Sequence, residues 1–212
     1  MIALLDRING WLHGVAQVGV WCGGVMMLTA AIVVSAEILL RKLFLVSLGG
    51  ADELAGYALA VGTTWALSFA LIQRAHIRVD ALYFIISERK GAALDIVALL
   101  SLLVFASALT WFAAGVLQTS WNFAATANTP LGTPLWIPQG LWVLGFFLFW
   151  LTNFFLLLRT IAALFAGDLA QVARIAGTKS AKEEIEEEIP HDNRAAVAGK
   201  AGNAAISNWL RD

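Results

Sequence analysis

The sequence predicts an all-α integral membrane protein, a bundle of four transmembrane helices with a short interfacial segment between the second and third. Three observations carry that prediction. Hydrophobic residues make up 59% of the 212-residue chain and charged residues 14%, against roughly 45–50% and 25% in soluble domains. Mean hydropathy is +0.75. Finally, four apolar runs, residues 15–40, 54–72, 92–117 and 135–158, reach or approach the roughly 20 helical residues that span a bilayer. Backbone groups in lipid must be satisfied within the segment, and none of these runs alternates as a membrane strand does, so each reads as a helix.

The first run is longer than the hydrocarbon layer and is expected to tilt or to lie partly in the interface. Glu37 and Arg41 stand one helical turn apart near its end, followed by Lys42. Gly49-Gly50 then breaks the chain, and Asp52-Glu53 open the second run, where negative charge suits a helix N-terminus. The third run starts near Asp95, placed in its first turn for the same reason. Pro130, Pro134 and Pro138 mark the entry to the fourth run, where a missing N–H costs least. Trp11, Trp121, Trp136 and Trp142 lie near the expected interfaces, as amphipathic rings do.

Charge placement divides the chain. Residues 1–165 form the membrane domain, and 166–212 a polar tail; residues 167–212 hold eight of the fifteen acids. Apolar residues in the tail are too scattered to bury a core, so it is expected to be mobile or to form isolated helix. A net charge of -1 gives no indication of nucleic acid, and none is expected as a partner. The connection after the second run carries Arg74, Arg78, Arg89 and Lys90, whereas that after the third carries no Lys or Arg. By the positive-inside rule the N-terminus, the Arg74–Lys90 connection and the tail are cytoplasmic. Arg41 and Lys42 dissent, since they fall on the outer side.

Several chemistries are excluded. One cysteine, Cys22, forms no intramolecular disulfide, and with three histidines outside the apolar runs no haem or zinc site is expected. No phosphate-binding Gly-rich loop is present. No short apolar core with a cleavage site suggests a signal peptide. No enzyme, cofactor or metal site is therefore expected. Glu37 and Arg41 read as an interfacial ion pair rather than a proton relay. Thr29, Thr63, Thr64, Ser68, Ser107, Thr110 and Asn153 read as interhelical hydrogen bonders. What remains is association: Gly19 and Gly23 form a Gly-x-x-x-Gly pair, and Gly56, Ala60 and Gly62 give the second run a small-residue surface suited to close helix packing.

Four motifs, in order and spacing, carry a resemblance. They are EILLRKLF at 37–44, DELA at 52–55, HIRVD at 76–80 and TPLGTPLWIP at 129–138. Together, over residues 5–165, they resemble the small, DctQ-like membrane subunit of tripartite ATP-independent periplasmic (TRAP) transporters. The resemblance implies a scaffold in a bacterial inner membrane, beside a large multi-span permease subunit that carries the sodium and substrate sites and moves as an elevator. A periplasmic substrate-binding protein would deliver an organic acid. Glu37, Arg41, Lys42, Glu53, Arg74, His76, Arg78 and Asp80 would then contact phospholipid or partner. Arg74 and Arg78 face lipid phosphates, His76 hydrogen-bonds a loop or partner backbone, and Asp80 pairs locally or contacts the large subunit. The alternative is a free-standing four-helix membrane protein, a small channel or an assembly factor.

Overall fold

The computed structural model describes residues 2–47, 49–74, 88–168, 171, 172 and 175. It contains four helices, α1 (Ile2–Phe44), α2 (Ala51–Ile72), α3 (Glu88–Asn122) and α4 (Trp136–Phe165). All four are long and apolar enough to cross a membrane. Among the described residues the only extended pairing is an isolated bridge between Thr126 and Pro134. The fold is thus an all-α, four-helix membrane bundle. The expected interfacial segment and nearly all of the tail lie outside the described residues.

The helices overrun the apolar runs that predict them. α1 has 43 residues, about 65 Å at 1.5 Å per residue, against a hydrocarbon core of about 30 Å. Ahead of the apolar run Leu12 packs as well, being fully buried. α3 starts at Glu88, so Asp95 is not in the first turn, as its sequence position suggested, but two turns in and 2% exposed. Glu88-Arg89-Lys90 are good helix formers, and Ala92 packs with Ala163, which carries the helix back beyond the apolar run.

Packing runs in the order α1–α2–α4–α3, with a smaller contact between α1 and α4. Leu71, Leu99, Ala106, Phe149, Leu156 and Leu157 form the main core. Gly23 allows α1 and α2 to meet backbone to backbone: a Cβ there would lie 2.9 Å from Gly62 Cα. One turn away, Gly19 leaves room for Trp65, and Gly145 of α4 meets the same indole, whose Cδ1 would lie 2.8 Å from an added Cβ. Trp65 Nε1 donates to Leu141 O at 2.9 Å. One aromatic side chain thus joins three helices at two glycines.

Of the polar side chains expected to bond between helices, Ser107, Thr110 and Asn153 do so, whereas three threonines bond within their own helix. Thr29 donates to Val25 O, Thr63 to Leu59 O and Thr64 to Ala60 O, each within its own helix. A hydroxyl has a carbonyl one turn back always in reach, so it need not cross to a neighbour. Crossing bonds come from longer side chains: Trp150 Nε1 donates to Ser107 Oγ at 2.8 Å, and Asn153 Nδ2 to Leu99 O at 3.3 Å. Thr110 does both, reaching Ala106 O at 2.8 Å and Phe146 O at 3.4 Å.

Packing continues past Phe165. The compact unit runs to Gly177, and Val172 is fully buried against Ala92 and Ala163. Asp168 Oδ1 accepts from Gln171 N at 2.9 Å, fixing the turn that brings Val172 back.

Candidate functional site

Three of the four sequence motifs meet at one end of the bundle. The end of α1 carries Glu37, which is buried, and Arg41 Nη2 donates to its Oε1 at 2.6 Å. After Phe44 the chain turns through Leu45, at φ +53, and returns Ser47 to the same carboxylate, its hydroxyl donating at 2.6 Å. Lys42 is exposed beside them.

α2 begins two residues beyond Gly49, whose φ of +70 favours glycine. Glu53, in its first turn, accepts from Tyr57 Oη at 2.7 Å and from Thr129 Oγ1 of the α3–α4 connection. Thr133 donates to the same carboxylate from side chain and backbone. The connection is itself built as a turn. Gly132 N donates to Thr129 O at 3.0 Å, with Pro130 at the second position and Gly132 at φ +57. Ala127 N to Thr133 O, at 2.9 Å, closes the loop behind it. Pro130 and Leu131 then rest on Gly49 and Gly50, which have no side chains to obstruct them. The result is a clasp: one carboxylate ties the start of α2 to a loop 76 residues away.

The remaining expected residues divide. Gly19 and Gly23 pack inside the bundle, whereas Gly56 is exposed with nothing within 4 Å of an added Cβ. Arg74 follows α2 at the opposite end of the bundle, half-buried at φ +56, its N donating to Leu71 O at 3.1 Å. His76, Arg78 and Asp80 lie outside the described residues. Ser47, Tyr57, Thr129 and Thr133 are hydrogen-bond partners of the two carboxylates that the sequence analysis did not single out. Tyr57 stands at i+4 from Glu53 and was legible as a helix pair; the others are brought in only by the fold.

The clasp is suited to holding rather than to reaction. Its carboxylates accept from guanidinium and hydroxyl groups of the same chain, and no group of three or more metal-ligating side chains exists among the described residues. Elsewhere, α1 exposes Val18, Trp21, Val25, Leu28, Ile32 and Leu39. Their spacing of three, four and seven residues draws one stripe along the helix, the repeat with which helices pack lengthwise.

Fold and site define a multi-pass membrane protein with one end locked by a carboxylate clasp and an apolar outer face. Comparison with known families makes the assignment narrower. Residues 30–166 match the family described as the DctQ component of tripartite ATP-independent periplasmic transporters. The match spans more than half of the chain and contains every residue of the clasp; the protein belongs to this family and is a transporter component. Neither the curated proteins nor the solved structures provide a match.

Proposed function

We propose that this chain is the scaffold subunit of a sodium-coupled secondary transporter that imports an organic acid. On this reading a large permease subunit carries substrate and ion, a periplasmic binding protein delivers the acid, and the present chain binds neither and is no enzyme. One observation carries the reading: the middle of every helix is uncharged. α1 has no Asp, Glu, Lys or Arg between Arg7 and Glu37, α2 none after Glu53, α3 none after Asp95, and α4 only Arg159 near its end. Ion-coupled carriers place ionisable groups or broken-helix carbonyls at the midplane, and these four helices run unbroken.

In this role the chain lies in the bacterial inner membrane, with both termini and the Arg74–Lys90 connection cytoplasmic and the clasp periplasmic. The Lys and Arg counts of the connections support that direction. Arg41 and Lys42 then extend towards outer-leaflet phosphates while their stems stay apolar. Arg74, His76 and Arg78 anchor the cytoplasmic side, and Asp80 pairs locally or meets the large subunit. The apolar stripe of α1 is the surface offered to the permease or to lipid. Residues 1–177 form the membrane unit and the remaining tail is dispensable. The experiment is expression beside the candidate permease gene with an affinity tag on this chain alone. Co-purification of a subunit of about twelve spans is expected, whereas a stable lone oligomer that conducts ions sinks the proposal.

A further inference from the structure

At the end of the bundle opposite the clasp, the first turns of α1 and the ends of α2 and α4 enclose a cavity of about 280 Å³. It is lined by Asn9, Ile72, Leu156, Arg159, Gln171 and Ile175. The cavity gathers one cation and two amides. Asn9 lines it and has its Oδ1 buried without a hydrogen-bond partner among the described residues; an acceptor left so is costly unless something donates to it. Arg159 already has an interaction within the protein, but a guanidinium has five donors in a fork and serves two acceptors at once. Gln171 is held in position by the bond from its N to Asp168 Oδ1, 2.9 Å.

The depth of the cavity points to its ligand. α4 has 30 residues, about 45 Å, so a hydrocarbon core of about 30 Å leaves roughly five residues over at each end. Arg159, six residues before the last residue of α4, therefore sits where hydrocarbon gives way to headgroups. Basic pockets between helices at that level suit lipid phosphates.

We propose that this cavity binds a phosphate group with an adjoining hydrogen-bond donor, the chemistry of a phosphatidylethanolamine or phosphatidylglycerol headgroup. The phosphate takes donors from Arg159 and from the Gln171 side chain, and the neighbouring amine or hydroxyl donates to Asn9 Oδ1. The site goes beyond the transport role and does not depend on it, because the test uses the chain alone.

The test is native mass spectrometry with thermal unfolding on the full chain in detergent, free of phosphate. Probes are dioctanoyl phosphatidylethanolamine, dioctanoyl glycerol, glycerophosphoethanolamine and inorganic phosphate. The phospholipid should be retained at least fivefold more by the wild type than by Arg159→Gln, with Arg159→Lys between them, and dioctanoyl glycerol should not be retained. Asn9→Ala and Gln171→Ala should each weaken retention without lowering the lipid-free Tm, and they decide the matter if Arg159→Gln does not fold. Equal binding of the soluble phosphates assigns the site to a free phosphate compound, and binding of the phospholipid alone assigns it to a headgroup. Equal retention by wild type and all folded variants, or retention of dioctanoyl glycerol as strong as that of phospholipid, overturns the proposal.

Discussion

Glu37 has 4% of its side chain exposed while Arg41, 2.6 Å away, has 61%, and this asymmetry sets what each is worth. A fully buried pair that loses one partner costs about 3–5 kcal/mol, but water screens the Arg41 side, so Arg41→Ala should cost about 1–2 kcal/mol. Arg41→Lys should recover most of that, because a single nitrogen makes the contact. The difference between wild type and Arg41→Ala should shrink in high salt, where exposed charge is screened. Ser47→Ala should cost about 0.5–1.5 kcal/mol, for one hydrogen bond. Thermal unfolding of the purified protein in detergent checks all four, and an Arg41→Ala midpoint equal to wild type contradicts the account. The i,i+4 spacing of Glu37 and Arg41 made the pair legible in the sequence. Ser47 was not, because its approach depends on the chain reversing at Leu45, where a non-glycine residue takes φ +53 and no turn motif announces it.

Between elements, the glycines provide a matched comparison. Gly23→Ala puts a methyl 2.9 Å from the Gly62 Cα, where only backbone can yield, and should destabilise the α1–α2 contact by about 1–3 kcal/mol. Gly56→Ala meets open space in this chain and should stabilise it by about 0.5–1 kcal/mol through helix propensity alone. If Gly56 packs against the permease, the same change should lower co-purification while raising the Tm of the isolated chain, a split that unfolding and pull-down measure together. Trp65→Phe should cost about 1 kcal/mol for its bond to Leu141 O, plus the lost ring. The four helices were legible because each apolar run reaches or nearly reaches bilayer length; their true starts were not, since helix-forming charged turns such as Glu88–Lys90 continue a helix without adding hydropathy. Equally, Gly-x-x-x-Gly identified Gly19 and Gly23, but composition alone gave no reason to prefer Gly62 over Gly56. That choice belongs to the angle at which two helices cross.

At the scale of the whole molecule, the bundle and its family followed from hydropathy and four short motifs, and three of those motifs lie at one end of the bundle. What the motifs did not give is the limit of the unit. Val172 lies beyond the last apolar run yet is fully buried, packed with Ala92 of α3 and Ala163 of α4. Truncation after Gly177 should therefore leave stability and uptake intact. Truncation after Gly167 should remove about 1.5–3 kcal/mol of buried side chain, and equal unfolding midpoints for the two truncations would show that Val172 adds nothing. The central claim is that this chain holds a transporter together without carrying substrate or ion. It is tested most directly by sodium-driven uptake of radiolabelled organic acid into proteoliposomes, with this chain alone and with all three components. Uptake is expected only in the complete system, with none above empty liposomes for this chain alone. Uptake by the single chain would contradict it.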